Sequence, residues 1–151
     1  MSSNLQTDKG PGLSVAGEPS SATQIRKPFV LIVENHDDTR TMLRMLLEIK
    51  GCRVVEAGDG LEAVRTSDRE PVELILMDGT LPLLDGLSAT RLIRERGSRR
   101  VKIVALSGDA RPEFQNAALS AGCDDCLTKP IDFVRLDAIL GSLFDTTVMA
   151  A

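Results

Sequence analysis

Residues 74–80 have the sequence LILMDGT, in which four apolar residues are followed by a carboxylate, a glycine and a hydroxyl. A continuous apolar run of this length is typical of a strand that is buried on both faces of a parallel sheet. Asp78 follows the run directly, so we expect it at the carboxyl end of the strand. Ligands bind at that end of the strands in open α/β sheets. The segment therefore indicates both a fold class and the place of a functional site.

The same pattern recurs along the chain and predicts alternating strands and helices. Further strands are predicted at Phe29–Val33, Arg53–Glu56, Val101–Leu106 and Cys126–Leu127. Helices are predicted after them, beginning at Asp37 or Asp38, at Asp59, after Gly86, at Pro112 and at Ile131, the last one ending at Phe144. Five such units in about 115 residues predict an α/β fold, a single doubly wound five-stranded parallel sheet with helices on both faces.

Composition divides the chain into one domain and two short tails. Residues 1–27 are rich in glycine, proline and serine and poor in long apolar side chains, which predicts a disordered N-terminal tail. The predicted domain covers residues 28–144, and residues 145–151 are predicted to form a short C-terminal tail. A chain of 151 residues favours one domain over two.

Charge and composition argue against several classes of protein. The net charge of -4 argues against a nucleic-acid binder, and the absence of Trp and Tyr removes most platforms for stacking bases. No apolar run is long enough for a membrane helix, and the polar N-terminus does not resemble a secretory signal. Three cysteines without such a signal fit a reducing compartment. We therefore expect a cytoplasmic protein with no membrane or nucleic-acid partner.

Polar residues follow four of the five predicted strands, where a parallel sheet would bring them together. They are Glu34 and Asn35, Asp78 and Thr80, Ser107, and Lys129. Mg²⁺ in proteins is held by one or two carboxylates together with waters and phosphate oxygens. A carboxylate can act as the nucleophile in phosphoryl transfer, and an ammonium and a hydroxyl can bind the phosphoryl oxygens. The set predicts a site for Mg²⁺ and a phosphoryl group.

Four stretches carry a resemblance to a known family. They are VLIVEN at residues 30–35, LILMDGTLPLLDG at 74–86, VALSGD at 104–109 and AGCDDCLTKP at 121–130. In their order, spacing and position at strand ends, they resemble the receiver domain of two-component response regulators, over about residues 28–144. The resemblance implies a flavodoxin-like receiver fold.

The resemblance also implies a role for each strand-end residue. Asp78 would accept a phosphoryl group from the phosphohistidine of a histidine kinase or phosphotransfer protein, and Ser107 and Lys129 would contact the phosphoaspartate. Weakly bound Mg²⁺ would be held by Glu34, Asn35, Asp78 and the backbone carbonyl of Thr80. The chain would then be a phosphorelay signalling protein and not an enzyme. It would signal to a downstream target protein by contact, and homodimer formation is left open.

Seven residues follow Phe144, from which we expect a stand-alone receiver without a fused output domain. Two residues depart from the family pattern. Asn35 stands where the family usually has a metal-binding acid, and Cys126 stands where many receivers have Tyr or Phe. Asn35 favours an alternative, a pseudo-receiver that binds partners without being phosphorylated. A phosphatase-like enzyme is a weaker alternative, because Leu76 stands where such an enzyme would carry its nucleophile.

Three other features are predicted to be structural or to face solvent. Cys123 and Cys126 have the spacing of a redox or metal motif, but they follow the end of a helix and run into a strand, and they lack enough additional ligands for zinc. His36 is a lone histidine beside the predicted site. It could modulate that site, but we interpret it as a simple exposed side chain. The basic residues of segment 91–102 are interpreted as a solvated face or a partner contact.

Overall fold

The computed structural model describes residues 27–97 and 100–150, so the predicted tail at 1–27 lies almost wholly outside the described residues. The strands are β1 (Phe29–Val33), β2 (Arg53–Ala57), β3 (Leu74–Asp78), β4 (Lys102–Ser107) and β5 (Asp125–Thr128). The helices are α1 (Asp37–Ile49), α2 (Gly60–Arg69), α3 (Gly86–Glu95), α4 (Pro112–Ala121) and α5 (Phe133–Ala150).

The strands form one parallel sheet in the order β2-β1-β3-β4-β5, which confirms the predicted fold class. The chain order reverses between β1 and β3, so the helices that follow these strands cover opposite faces. Val33 pairs with Met77 at one side of this point, and Asp78 pairs with Leu106 at the other. The carboxyl ends of the central strands therefore meet along one edge, where the sheet opens a crevice.

Two apolar cores, one on each face of the sheet, hold the strands in register. Leu31, Val33 and Ile75 pack on the face covered by α2, α3 and α4, whereas Val30 and Ile32 pack on the face covered by α1 and α5. Successive side chains of a strand point to opposite faces. The fully buried runs of β1 and β3 therefore supply both cores, which explains why they lack polar alternation.

Three helix boundaries, in two helices, differ from the prediction. Helix α1 has His36 as its N-cap, while Asp37 and Asp38 lie in its first turn. Carboxylates are favoured there because they face the positive end of the helix dipole. Helix α5 begins at Phe133 instead of Ile131 and continues to Ala150, past the predicted end at Phe144. Its start is fixed by Asp132, whose Oδ1 accepts a hydrogen bond from the backbone N–H of Val134 over 2.9 Å.

Across the described residues, no helix combines the length and the apolar character that crossing a membrane requires.

Candidate functional site

The sheet brings together the acidic, hydroxyl and basic residues that the sequence placed at the strand ends. Asp78 is the last residue of β3 and Ser107 the last residue of β4. Glu34 and Lys129 come directly after β1 and β5. The backbone N–H of Lys129 donates to the carbonyl of Ser107 over 2.7 Å, which extends the pairing of the two strands into the site.

One ammonium is shared by two carboxylates at the centre of the site. Lys129 Nζ lies 2.9 Å from Glu34 Oε1 and 3.5 Å from Asp78 Oδ2. Glu34 is 0% exposed and Asp78 3% exposed, so both carboxylates are removed from bulk water. When all three groups are ionised, the cluster carries one more negative charge than positive. Such a surplus in a buried position attracts a cation.

The environment shifts the pKa of all three groups. Burial raises the pKa of Asp78, and neighbouring Glu34 raises it further. The hydrogen bond from the Thr80 N–H acts in the opposite direction but does not outweigh them. Burial also acts to raise the pKa of Glu34, but hydrogen bonds from Lys129 and His36 outweigh it and lower this pKa. Burial acts to lower the pKa of Lys129, but the two carboxylates outweigh it and raise this pKa. Perturbed groups that converge in a cleft are typical of functional sites.

Ser107 lies at the site, and its hydroxyl oxygen is hydrogen-bonded to the loop that follows β4. Ser107 Oγ accepts a hydrogen bond from the backbone N–H of Asp109 over 2.8 Å. Arg111 binds the Asp109 carboxylate at 2.7 Å and lowers the pKa of Asp109 to about 2. Because Ser107 Oγ acts as the acceptor, its own proton is available for a ligand. Within the described part of the chain, no hydrogen bond joins Ser107 to Asp78.

An open cleft of about 490 Å³ lies above Asp78. Asn35, Thr80, Gly108 and Lys129 line it, so residues from four different loops face the carboxylate. The backbone N–H of Thr80 donates to Asp78 Oδ1 over 3.1 Å, which orients the carboxylate. The side chain of Asn35 is exposed at the cleft. The cleft gives a donor group of another molecule access to an otherwise buried carboxylate.

His36 is exposed beside the candidate site, as the sequence indicated, and its ring also contacts Glu34. Its Nδ1 lies 3.1 Å from Glu34 Oε2, and its backbone N–H donates to the same oxygen over 3.2 Å. The only sequence signal for this contact was the position of His36 two residues after the strand-end acid. The ring is 74% exposed, as expected for a residue at the rim, but it faces the site.

The donor atoms fit a divalent cation. Carboxylate oxygens of Glu34 and Asp78 and a ring nitrogen of His36 all lie within 4.8 Å of one another. The two carboxylates share a single ammonium, which leaves negative charge for a cation to balance. Oxygen ligands of this type suit Mg²⁺, with waters completing its coordination.

The cysteine pair and the basic segment that the sequence analysis considered are parts of the folded structure away from the cleft. Cys123 and Cys126 are buried free thiols in the core beneath α3 and α4, and burial raises the pKa of both. Arg94, in the basic segment, is not simply a solvated side chain. It donates to the carbonyls of Gly122 and Val101 at 2.9 and 2.7 Å and binds Asp124 at 2.9 Å. It therefore ties α3 to the loops before β4 and β5.

Comparison with known proteins decides the family. A family model described as the response regulator receiver domain matches residues 30–141. The chain belongs to this family. Receiver domains are signalling modules of two-component systems, and this receiver is similar to the sensor histidine kinase GacS of Pseudomonas protegens, with 36% identity over 127 residues. That match covers 82% of this chain and 14% of GacS, so the chain spans a small part of that relative.

Two solved structures of receiver domains are similar to this chain. The receiver domain of a sensor histidine kinase from Pseudomonas aeruginosa is 40% identical, with a TM-score of 0.70 over 76% of this chain and 95% of that chain. That structure has a magnesium ion coordinated in its active site cleft. A Saccharomyces cerevisiae complex joins the histidine phosphotransfer protein Ypd1 to the receiver domain of Ssk1. It matches at 31% identity and a TM-score of 0.70, over 76% of this chain and 87% of that one.

Proposed function

We propose that Asp78 accepts a phosphoryl group from a phosphohistidine on a histidine kinase or phosphotransfer protein. The observation that carries the proposal is a buried carboxylate at the end of the central strand, sharing the Lys129 ammonium with Glu34 and opening to a cleft. The complex of the histidine phosphotransfer protein Ypd1 with the Ssk1 receiver supports this class of donor. The protein then acts in a two-component phosphorelay.

The transfer is a displacement at phosphorus. A carboxylate oxygen of Asp78 forms the new P–O bond while the P–N bond of the phosphohistidine breaks. The electron pair of the broken bond stays on the departing imidazole, which is neutral when its other nitrogen carries a proton. Lys129 is already paired with Asp78 and Glu34. Its ammonium is therefore close enough to stabilise the negative charge of the phosphoryl oxygens.

Ser107, at the end of the neighbouring strand β4, would supply a hydrogen-bond donor to the phosphoryl group. Its Oγ is held by the Asp109 N–H, which leaves the hydroxyl proton to be donated to a phosphoryl oxygen. That contact would draw the loop between β4 and α4 toward Asp78. The phosphoryl group is thereby linked to the position of the loop, and a downstream target protein would bind the altered surface.

Mg²⁺ is the cation that we propose for the site, as in the Pseudomonas aeruginosa receiver structure. Glu34, Asp78, Asn35 and the backbone carbonyl of Thr80 would hold it. When bound, the ion neutralises negative charge on the carboxylate and the phosphoryl oxygens. Asn35 contributes an uncharged oxygen, so binding is expected to be weak.

A second candidate is a pseudo-receiver that binds its partners without phosphorylation. It is favoured by Asn35, which leaves Glu34 and Asp78 as the acids of the candidate cation site among the described residues. In either case we infer a cytoplasmic signalling domain rather than a turnover enzyme. The phosphatase alternative is further weakened by Leu76, which is completely buried within β3 and carries no nucleophile.

Intact-mass measurement after phosphorylation tests the proposal. The wild-type protein is treated with Mg²⁺ and acetyl phosphate, and separately with a phosphorylated phosphotransfer protein. We expect one phosphoryl group on the wild type and none on Asp78→Asn. The matched control is Asp85→Asn, which removes an acid that caps α3 and should leave phosphorylation intact. Equal labelling of Asp78→Asn would contradict the assignment, and an unlabelled wild type with both donors would favour the pseudo-receiver.

A further inference from the structure

Arg40 is a residue of α1 that does not line the cleft, but its guanidinium reaches the backbone of the site. Its Nη1 donates to the backbone carbonyl of Glu34 over 2.7 Å. The same guanidinium donates to Asp37 Oδ1 at 2.7 Å and to Glu56 Oε1 at 3.1 Å. The side chain of Arg40 is 22% exposed. Contacts with α1 and with β2 therefore fix the guanidinium that binds the Glu34 carbonyl.

The carbonyl that Arg40 binds belongs to the peptide group that joins two of the proposed cation ligands. The Glu34 C=O and the Asn35 N–H lie in one plane, because the peptide bond does not rotate freely. Fixing this plane restrains the backbone dihedral on each side of it, ψ of Glu34 and φ of Asn35. The directions in which the Glu34 carboxylate and the Asn35 amide leave the backbone therefore depend on the hydrogen bond from Arg40.

Two further hydrogen bonds hold the turn formed by residues 34–36. The Glu34 N–H donates to the carbonyl of Ala57, at the end of β2, over 3.1 Å. The His36 N–H donates to Glu34 Oε2 over 3.2 Å. Of these three restraints on the turn, the contact from Arg40 is made by a side chain outside residues 34–36. A substitution at position 40 can therefore remove one restraint and leave the other two in place.

The charge of Arg40 acts in the opposite direction to its hydrogen bond. Arg40 is a cation that contacts a residue of the candidate cation site, so its charge alone opposes the binding of Mg²⁺. If only this charge mattered, removing the guanidinium would tighten Mg²⁺ binding. If the hydrogen bond to the Glu34 carbonyl matters, removing it frees the turn and weakens Mg²⁺ binding. The sign of the change therefore distinguishes the two effects.

We propose that Arg40 is a positioning residue of the candidate site, whose guanidinium orients the peptide between Glu34 and Asn35 and thereby sets the affinity for Mg²⁺ and the rate at which Asp78 is phosphorylated. The inference rests on the proposed cation-binding role of Glu34 and Asn35. It adds to that role a residue that acts through the backbone of the ligands. Removing the hydrogen-bond partner of a metal ligand typically lowers metal affinity by about 10–100-fold.

Calorimetric titration of the full chain with Mg²⁺ tests the proposal with Arg40→Met, which keeps an apolar stem and removes the guanidinium. We expect Mg²⁺ affinity to fall by about tenfold. Arg44→Met is the matched control, because Arg44 also binds Glu56, at 2.7 Å, but within the described residues makes no contact with Glu34. It removes the same charge from α1, and Mg²⁺ affinity should stay unchanged or rise slightly. Circular dichroism verifies that each variant is folded.

Nitrogen-15 NMR relaxation of the backbone amide of Asn35 provides a second readout, which requires neither Mg²⁺ nor phosphorylation. A rigid backbone amide has an order parameter of about 0.85, and a flexible one has a value below about 0.6. We expect the order parameter of the Asn35 amide to be high in the wild type and in Arg44→Met. It should fall toward the flexible range in Arg40→Met, because the peptide plane has lost its side-chain donor.

The outcomes for this inference and for the proposed function are separate. An Asn35 order parameter that is the same in all three proteins would overturn the inference. So would a Mg²⁺ affinity in Arg40→Met that equals or exceeds the affinity in Arg44→Met, and either result leaves the phosphorylation of Asp78 standing. A wild type that binds Mg²⁺ but gains no phosphoryl group on Asp78 would instead overturn the proposed function.

Discussion

The ring of Phe114 lies against the backbone of Gly79, so closely that a Cβ built on Gly79 would be 2.9 Å from Phe114 Cζ. Gly79 follows the phosphoacceptor candidate directly, and Phe114 lies in the first turns of α4. Replacing Gly79 with alanine should therefore overpack this contact. We expect a loss of about 1 kcal/mol in the free energy of unfolding, measured by urea denaturation followed by circular dichroism.

A double-mutant cycle separates this contact from a general effect of alanine. Phe114→Leu shortens the ring, so Gly79→Ala should cost less in that background than in the wild type. Gly86→Ala is the matched control, because a Cβ on Gly86 would be 2.0 Å from the backbone oxygen of Asp78, which a change at Phe114 does not relieve. An equal cost of Gly79→Ala in both backgrounds would mean that Phe114 does not occupy this space.

Lys129 is expected to stabilise the fold as well as the phosphoryl group. From the sequence alone, we expect the ammonium of a lysine at a strand end to be hydrated. Its replacement should then leave the fold intact. In the structure it is the ammonium partner of Glu34, which has no exposed surface. Lys129→Met should leave that carboxylate buried without its cation, at a cost of about 1–3 kcal/mol near neutral pH.

The pH dependence of that cost identifies its origin. The folded-state pKa of Glu34 is lowered in the wild type, so this group stabilises the fold above its unfolded pKa and loses the contribution as pH falls. Without Lys129, burial should raise the same pKa, and protonation should relieve the penalty. We expect the difference in unfolding free energy between wild type and Lys129→Met to shrink between about pH 7 and pH 5, and to shrink likewise at pH 7 in a Glu34→Gln background. A difference that is constant with pH would contradict the pairing.

The two central strands β1 and β3 were predictable because they consist of continuous apolar runs. Residues 29–33 and 74–77 have no polar interruption, which is typical of strands that are covered on both faces of a parallel sheet. The positions of Asp78 and Ser107 followed, since parallel strands end along one edge. Helix ends were less certain, because Asp37 suits an N-cap and a first turn almost equally well.

Contacts made by side chains across loops were not predictable in the same way. The direction of the His36 ring depends on the backbone of one turn, which composition does not specify. Arg94 appeared as one member of a basic segment, although its guanidinium holds the carbonyls of Val101 and Gly122. Phe114 reaches Gly79 only because α4 packs over the end of β3. The contacts of Arg94 with Gly122 and of Phe114 with Gly79 depend on packing between elements that are far apart in sequence.

Glu56 is expected to make stability depend on acid pH away from the site. Its carboxylate binds Arg44 at 2.7 Å and Arg40 at 3.1 Å, and the hydrogen bond from Arg44 is the main cause of its lowered pKa. Since the folded-state pKa lies below the usual value of 4.5, the stabilisation is present above that pH and is lost below it. Glu56→Gln should cost about 1 kcal/mol near pH 7 and much less under acid conditions.

Urea denaturation at several pH values measures this effect. Glu113→Gln is the matched control, because Glu113 is an exposed acid in the first turn of α4, and its replacement should lose only a small contribution from the helix dipole. If Glu56→Gln and Glu113→Gln followed the same pH profile, the contacts with Arg40 and Arg44 would contribute no measurable stability.

Asn35 is expected to set the strength of Mg²⁺ binding. It lies at the same cleft as Asp78, and the cluster of Glu34, Asp78 and Lys129 carries a formal charge of about -1 when ionised. Asn35→Asp adds a charge beside the ion. The gain is reduced by solvent screening and by repulsion from the two existing carboxylates, so we expect Mg²⁺ affinity to rise by about tenfold.

Mg²⁺ titration of the wild type and of Asn35→Asp measures this change, and the rate of labelling by acetyl phosphate should rise with it. Thr41→Asp is the matched control, because it places the same charge on an exposed position of α1 outside the cleft lining. If both variants gained affinity equally, the effect would be long-range attraction, and raising the salt concentration would remove it. If neither variant bound Mg²⁺ more tightly than the wild type, position 35 would lie outside the coordination shell. Glu34 and Asp78 would then remain as the acids of the site.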